Sequence, residues 1–386
     1  MATNKTDKVL NVPTLRFPGF TEEWQEVQFC DVVNLYRGSS PRPIIEFITH
    51  SDEGVNWVKI GDMPTTGRLV TSTSERITLE GSKKSRKVSP GDLILSNSMT
   101  FGQPYVMAIE GYIHDGWFVL RDYEEKMDRD FLCNLLISPI IQKQYYRLAA
   151  GGVVQNISSD LVNQVRFSLP SIAEQLQISH LLNILDERIA LQSKLIEDLK
   201  KLKSAIRANI FQRLKNAPTH TKSGAELLLY EQPTKYIVED YEYSSDKTQT
   251  PVLTANKSLI LGYTSENFGV YDKGNCIILD DFTLDMKFIT FPFKVKSSAI
   301  KILTTKCGVN LRFIFEQLQW MGLTPLGHNR HYISMVEPMQ FYCPSIEVQR
   351  NIAQLLDKAD DKLRNELQLL ELLIKQKSFL LSAMFI

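Results

Sequence analysis

The sequence predicts an α+β protein in which two α/β-type globular domains are joined by two long antiparallel helices that form a coiled coil, with a pseudo-twofold internal repeat. Three observations carry this prediction: a gapless repeat of 42 residues, an apolar ladder of helical period in both copies, and a globular block with mixed strand and helix patterns before each copy. The predicted divisions are residues 1–169, 170–216, 217–343 and 344–386.

The two globular blocks share an order of parts. A glycine turn followed by a buried strand occurs at residues 91–95 in the first block and at 274–279 in the second. A helical stretch comes later in each block, at residues 131–149 and 311–321, and a short strand then leads into the repeat. The blocks are therefore expected to be related domains, although their sequences are less alike than the helices.

Each copy of the repeat opens with a Pro-Ser-Ile triplet, and the copies are offset by 174 residues with 15 identical positions. Ser171 is a good N-cap, and Glu174 lies three residues on, which is the capping-box spacing. The second copy keeps Ser345 but has no acid at the matching position. Pro218 ends the first helix shortly after residue 216, whereas the second helix is predicted to run to the C-terminus.

Apolar residues recur in both copies at alternating steps of four and three, which is the pattern of a coiled-coil seam. Some 40 residues at about 1.5 Å each predict a helix of roughly 60 Å. The alternative is that each helix packs only on its own globular block. The first ladder is Ile178, Leu182, Leu185, Ile189, Gln192, Ile196, Leu199, Lys203, Ile206 and Ile210, and the second is Ile352, Leu356, Ala359, Leu363, Glu366, Leu370, Leu373, Lys377, Leu380 and Met384.

The polar rungs of the two ladders predict how the helices pair. A parallel pair would place Lys203 level with Lys377, which is a like-charge contact in a partly dry seam. An antiparallel pair lets Lys203 meet Glu366 and Gln192 meet Lys377, while apolar rungs face apolar rungs. We therefore expect an antiparallel pair in which the side chains of Lys203 and Glu366 lie within a few ångströms of each other.

Composition excludes several classes of protein. The chain has 44 Lys and Arg against 44 Asp and Glu, so it is not a polycation that holds DNA by its own charge alone. A hydrophobic content of 43% is ample for folded cores. No apolar run reaches the roughly 18 residues of a membrane helix, and no signal peptide is recognisable. Five scattered cysteines without a CxxC pair indicate reduced thiols, and hence a cytoplasmic protein.

Motifs for catalysis and metal binding are absent from the sequence. It has no phosphate loop, dinucleotide fingerprint, nucleophile elbow or HExxH zinc motif. His328 and His331 lie three residues apart, but no further ligand cluster is near them, so no metal site is expected. Asp281, Asp285 and Lys287 resemble the acidic set of metal-dependent nucleases, with a spacing that is too compressed. A nuclease is therefore the least favoured alternative, and no reaction of the chain's own is expected.

Several segments resemble the specificity subunits of type I restriction–modification enzymes. The opening residues 13–20 (PTLRFPGF) with Trp24, the loop 37–41 (RGSSP) and the end segment 155–158 (QNIS) are similar to that family. The Pro-Ser-Ile segments are similar to its two conserved helical regions. The resemblance covers essentially the whole chain, and the duplicated layout is more specific than any one motif.

The resemblance implies two target-recognition domains, each of which reads one half of a split, asymmetric double-stranded DNA site. It also implies that the helical pair sets the spacing and docks two modification (adenine methyltransferase) subunits, and that restriction subunits join to cleave. S-adenosylmethionine, ATP and Mg²⁺ are then expected on the partner subunits, and no cofactor on this chain. A two-headed scaffold that binds only proteins is the alternative from another class.

Base reading needs polar or aromatic side chains on loops that face the duplex, while basic side chains contact phosphates. In the first block the predicted base-reading residues are Arg37, Ser39, Ser40, Arg42, Gln155 and Asn156, with Lys83, Lys84, Arg86 and Lys87 on phosphates. In the second block the predicted DNA contacts are Lys257, Tyr263, Asn267, Tyr271, His328, Asn329 and Arg330.

Overall fold

A computed structural model of the chain describes residues 10–64, 67–97, 102–149, 157–255, 258–327 and 329–386. Four predicted DNA contacts lie outside these residues, namely Gln155, Asn156, Lys257 and His328. The chain forms two compact units. Unit 1 holds the residues up to Leu195 together with Leu367–Ile386, and unit 2 is Ile196–Glu366.

The globular part of unit 1 is a two-sheet block followed by short helices. The elements are β1 (Gln25–Gln28), β2 (Asn34–Arg37), β3 (Ile48–Thr49), β4 (Val55–Val58), β5 (Leu69–Val70), β6 (Glu75–Ile77), α1 (Leu79–Ser82), β7 (Arg86–Val88), β8 (Leu93–Ser96), β9 (Pro104–Met107), β10 (Gly111–Ile113), β11 (Trp117–Arg121), α2 (Arg129–Leu136), α3 (Pro139–Ala149), α4 (Ser159–Asn163) and β12 (Arg166–Leu169). The described strands form a sheet in the order β3-β6-β4-β10-β7, a sheet in the order β2-β11-β8-β9-β5, and the antiparallel pair β1-β12.

The first long helix, α5 (Ile172–Asn216), precedes the block of unit 2. The elements of that block are β13 (Thr221–Ser223), α6 (Gly224–Leu227), β14 (Leu228–Glu231), β15 (Thr250–Leu253), β16 (Ile260–Thr264), β17 (Cys276–Asp280), β18 (Met286–Ile289), β19 (Lys294–Val295), β20 (Ile300–Thr305), α7 (Leu311–Met321) and β21 (Gln340–Tyr342). Its described strands form sheets in the orders β14-β20-β17-β18 and β16-β15-β19, with the antiparallel pair β13-β21. The second long helix, α8 (Ile346–Ala383), completes the chain.

The two blocks repeat the same strand order. β2-β11-β8-β9 in unit 1 corresponds to β14-β20-β17-β18 in unit 2, and the parallel pair of β4 and β10 corresponds to that of β15 and β19. In both units, the first and last strands of the block pair with each other. The internal repeat that the helices show in sequence therefore extends to the folds of the blocks.

A repeated glutamine joins each long helix to its block. Gln175 accepts a hydrogen bond from the Asp128 backbone N–H at 2.8 Å, and its amide donates to the Pro170 carbonyl at 3.0 Å. Gln349 makes the same two bonds, to the Asn310 N–H at 2.9 Å and to the Pro344 carbonyl at 2.9 Å. Asp128 and Asn310 are the N-caps of α2 and α7, so the glutamine ties the start of one helix to the start of the other.

Two local predictions need correction. The predicted helical stretch 131–149 is two helices, because α2 ends at Leu136 and Pro139, which lacks an N–H, begins α3. The predicted capping box of α5 is only half formed. Ser171 Oγ accepts from the Glu174 N–H at 3.4 Å, but the Glu174 carboxylate instead binds Arg16 at 2.7 Å and Trp24 at 3.1 Å.

The two long helices run antiparallel. In unit 1, the N-terminal half of α5 and the C-terminal end of α8 contribute Leu182, Leu185, Leu373 and Leu380 to one apolar core with the block. In unit 2, the C-terminal half of α5 meets the N-terminal half of α8, where Lys203 pairs with Asp360. Each unit thus pairs opposite ends of the two helices, as the ladder predicts.

Candidate nucleic-acid interface and helix ion pairs

Asp115 binds three of the predicted base-reading residues at and after the end of β2. Ser40 Oγ donates to its carboxylate at 2.6 Å, and Arg42 Nη2 lies 3.1 Å from the second carboxylate oxygen. Arg37 Nε donates to the Asp115 backbone carbonyl at 3.2 Å. The Ser40 hydrogen bond, with the Arg42 charge, lowers the pKa of Asp115, so the acid stays ionised and holds the loop in place.

The predicted phosphate-binding cluster lies beside this loop. Ser39 Oγ donates to the Lys84 carbonyl at 3.0 Å, and Arg86 Nε donates to the Arg37 carbonyl. These bonds bring the loop and the cluster into one surface, the basic loop surface. It consists of Arg37, Ser39, Ser40, Arg42, Lys83, Lys84 and Arg86.

The cations of this region differ in how freely they face solvent. Lys83 and Lys84 are exposed, although the Lys84 ammonium lies 4.6 Å from the centre of the Phe47 ring. Lys87 is exposed but pairs with Glu110 at 2.9 Å, which raises the pKa of Lys87 through that hydrogen bond. Lys83 and Lys84 are therefore better placed than Lys87 to bind a phosphate.

A groove of about 1020 Å³ adjoins the basic loop surface and contains residues that the sequence did not single out. Trp57 and His114 form part of its wall, with their rings 6.1 Å apart, and Asp115 and Arg42 lie on its lining. Burial lowers the pKa of His114, so the imidazole is neutral at pH 7. Trp57, His114 and Asp115 are far from residue 42 in sequence, and no local pattern marks them.

In unit 2, the predicted DNA contacts do not form one described group. Asn267, Asn329 and Arg330 are exposed, and Tyr263 is half-buried on β16. The prediction for Tyr271 is wrong, because its side chain is only 1% exposed. Its ring stacks on Phe293 with centroids 5.0 Å apart, in an apolar core. A tyrosine in a loop-like segment is equally suited to a core, and only the fold separates the two uses.

The acidic set that resembles a nuclease serves the fold instead. Asp281 is 2% exposed, and its Oδ1 accepts from the backbone N–H groups of His331 at 3.1 Å and Tyr332 at 2.8 Å. Asp285 is exposed and accepts from the Thr283 hydroxyl at 3.0 Å. Asp281 is thus committed to buried amides rather than open to a metal ion. Among the described residues, no group of three or more His, Cys, Asp or Glu side chains is placed to hold a metal.

The lysines of the helix seam have partners other than those predicted from the ladder. Lys203 pairs with Asp360 and lies 3.5 Å from Glu316, while Lys377 pairs with Asp186. Glu366, the predicted partner of Lys203, pairs with Lys362.

The acids that bind the two lysines lie next to the seam positions. Asp186 and Asp360 follow the seam residues Leu185 and Ala359 directly, so a ladder of seam positions alone omits them. Gln192, the predicted partner of Lys377, is 8% exposed. In each unit, the long lysine side chain reaches a flanking carboxylate.

Residues 21–201 match the family model described as "Type I restriction modification DNA specificity domain". The specificity subunit of the type I restriction enzyme EcoR124I/EcoR124II of Escherichia coli is 40% identical over 147 residues, which cover 34% of this chain and 36% of that protein. The alignment therefore spans about a third of the length of this curated relative.

Two solved structures share the fold at 15% identity. One is the type I restriction–modification S subunit from M. genitalium, with a TM-score of 0.61 over 97% of this chain and 99% of that one. The other is a structure described in terms of complex assembly and conformational transition of the type I R-M system, with a TM-score of 0.55 over 93% of this chain and 96% of that one.

Residues 21–201 match a DNA specificity domain, and nearly the whole chain shares its fold with an S subunit. The resemblance to specificity subunits of type I restriction–modification enzymes is therefore confirmed. Within the ranges that the structure describes, no helix has the length and apolar character needed to cross a bilayer.

Proposed function

We propose that the chain is the DNA sequence-specificity subunit of a type I restriction–modification complex and that each globular domain reads one half of a split, asymmetric site. The observation that carries the proposal is the duplication. Residues 21–169 of the first block lie within the matched DNA specificity segment, and the second block repeats the strand order and the glutamine link to the long helix. Two related binding blocks on one chain suit a site with two different halves.

The basic loop surface is the proposed contact of the first domain with DNA. Exposed Lys83 and Lys84 supply positive charge for phosphates, and Arg37, Ser39, Ser40 and Arg42 supply donors for base edges. The neutral net charge of the chain fits a subunit whose phosphate-binding field is completed by partners. In the second domain, Tyr263, Asn267, Asn329 and Arg330 remain the described candidates. Lys257 and His328 lie outside the described residues and remain candidates from the sequence.

The helical pair is the proposed docking site for two adenine methyltransferase subunits. In unit 1, Ile184 and Leu191 on α5 are 50% and 69% exposed, and Leu372 and Phe379 on α8 are 61% and 63% exposed. Each pair is spaced by seven residues, so its members lie on one face of their helix. Exposed apolar side chains in such a row suit a partner helix.

The remaining expectations are parts of the same proposal. The domains are residues 1–169 and 217–343 for target recognition, with the helices 170–216 and 344–386 between and after them. The chain itself does no chemistry, while restriction subunits complete the complex and S-adenosylmethionine, ATP and Mg²⁺ bind to the partner subunits. The complex acts in the cytoplasm, where its DNA substrate lies.

The decisive experiment is modification mapping. The chain is expressed with its methyltransferase subunit in a host without other adenine methylation, and the methylated adenines are located by sequencing. We expect one split motif with a fixed gap. Methyltransferase expressed without the chain is the control and should give no motif.

The alternatives give different results. A scaffold that binds only proteins would produce neither a motif nor a gel shift of genomic fragments in the presence of the methyltransferase. A nuclease would show metal-dependent cutting by the chain alone. Either result would contradict the proposal.

A further inference from the structure

Two aspartates, one on each long helix, receive the same two kinds of cation. In unit 1, Asp186 on α5 pairs with Lys377 of α8 and, at 3.2 Å, with Arg68 of the globular block. In unit 2, Asp360 on α8 pairs with Lys203 of α5 and with Arg312 of that block. Each aspartate thus joins three parts of its own unit: both helices and the block.

The aspartates and lysines of this arrangement lie at equivalent positions of the internal repeat, but the arginines do not. Asp186 and Asp360 are 174 residues apart, and so are Lys203 and Lys377. The arginines occupy positions that do not correspond, because Arg68 directly precedes β5, whereas Arg312 lies in the first turn of α7. The two aspartates occupy equivalent positions, but the arginines that bind them come from different places in the blocks. The arginine–aspartate pair is therefore not explained by duplication alone, which indicates that each unit needs this contact.

Both arginines are fixed from the block side as well. Arg68 also donates to the Asn134 side chain on α2, which is fully buried. Arg312 lies 2.7 Å from the Glu316 carboxylate and 5.0 Å from the centre of the Phe288 ring. A guanidinium with several partners in the block has a fixed orientation. Its bond to the aspartate therefore fixes the position of the block relative to the helix.

The paired side chains are largely buried, so solvent screens these ion pairs only in part. The Asp186 and Asp360 side chains are 30% and 29% exposed, and those of Lys377 and Lys203 are 19% and 12% exposed. Burial lowers the pKa of Lys377, and the hydrogen bond that its ammonium donates to Asp186 opposes that effect. Loss of Asp186 would leave Lys377 and Arg68 facing each other without the carboxylate they share. Loss of Asp360 would leave Lys203 and Arg312 with Glu316 as their shared carboxylate.

We propose that Asp186 and Asp360 are positioning residues that fix how each recognition domain sits on the helix pair and thereby set the gap length that the protein accepts between its two half-sites. This inference rests on the proposed function. The aspartates touch no base in it, because they act through Arg68 and Arg312, and the letters of each half-site are independent of them.

The test measures gap tolerance. The chain is assayed with its methyltransferase on duplexes that carry the mapped half-sites at the native gap and at gaps one base pair shorter and longer. Asp186→Asn and Asp360→Asn should raise methylation at the altered gaps, relative to the native gap, by about tenfold, which corresponds to one lost charge-assisted hydrogen bond. Asp186→Glu and Asp360→Glu, which keep the charge, should restore most of the preference.

Matched controls are available on the same helices. Glu187→Gln and Asp361→Asn remove exposed acids one residue away and should leave the gap preference of the wild type. If an Asn variant fails to fold, Arg68→Gln and Arg312→Gln keep the lysine–aspartate pair and should give the same relaxation.

Specific outcomes overturn the inference. Asn or Gln variants that methylate all gaps in the wild-type ratio, whether at full or uniformly reduced rate, show that the aspartates serve stability alone. Failure of the proposed function looks different, because the wild-type chain would then direct no methylation to a split motif.

Discussion

Replacing Lys83 and Lys84 by alanine should weaken DNA binding for all sequences and flatten its salt dependence. Both side chains are exposed, and the nearby bond from Ser39 goes to the backbone carbonyl of Lys84, so the double substitution leaves the loop contact in place. Their expected role is to neutralise phosphates, which carry no sequence information.

The magnitude follows from counterion release. Each phosphate neutralised on duplex DNA contributes about 0.9 to the slope of log affinity against log salt concentration, so the double variant should lose about 1.8. Between about 50 and 200 mM salt, the affinity of the wild type should then fall by about 12-fold more than that of the variant. Lys87→Ala should change the slope by less than the value of about 0.9 that one phosphate contact contributes, because Glu110 already balances the Lys87 charge.

The assay is a fluorescence-anisotropy titration at several salt concentrations, with the methyltransferase subunit present. A duplex with the mapped site and a duplex without it are both measured, and the two should lose affinity in parallel. An unchanged slope in the double variant would remove Lys83 and Lys84 from the interface. A loss confined to the specific duplex would show that they read bases rather than phosphates.

Three further outcomes are expected. Gln175→Ala and Gln349→Ala should each lower the free energy of unfolding by about 2–4 kcal/mol in chemical denaturation, because each removes a buried side chain that satisfies a backbone N–H and a carbonyl, whereas exposed Gln177→Ala should cost less than about 0.5 kcal/mol. Tyr271→Ala should destabilise unit 2 by about 3–5 kcal/mol, while a Tyr271→Phe protein that folds normally but loses DNA affinity would restore this residue to the interface. Exchange of residues 217–343 for the equivalent block of a relative should change one half of the methylated motif, and a change in both halves would refute separate reading.

The sequence was sufficient for the features that depend on local pattern. The long helices follow from the apolar period and from Pro218, and α5 does end at Asn216. The strands at β8 and β17 and the helix α7 also lie where turns and apolar runs predict them. Such signals act within a few residues, so they are readable without knowledge of the fold.

Side-chain partners depended on the tertiary structure. The seam indicated that the helices are antiparallel, but Lys203 pairs with Asp360 and Lys377 pairs with Asp186. An arginine of each globular block also binds the same aspartate. A lysine side chain can reach acids on more than one turn of a neighbouring helix, so its choice depends on charges brought in from elsewhere in the unit.

The same limit applies to the candidate interface. The sequence singled out Arg37 to Arg42 and Lys83 to Arg86 separately, and the fold joined them through hydrogen bonds to backbone carbonyls. The loop itself is held by Asp115, more than 70 residues from Ser40. Tyr271 and Asp281 carried the residue types of a binding site, but the fold placed both in cores. Composition and spacing determined which side chains are available, whereas burial and long-range hydrogen bonds decided which of them face solvent, because those depend on contacts between distant parts of the chain.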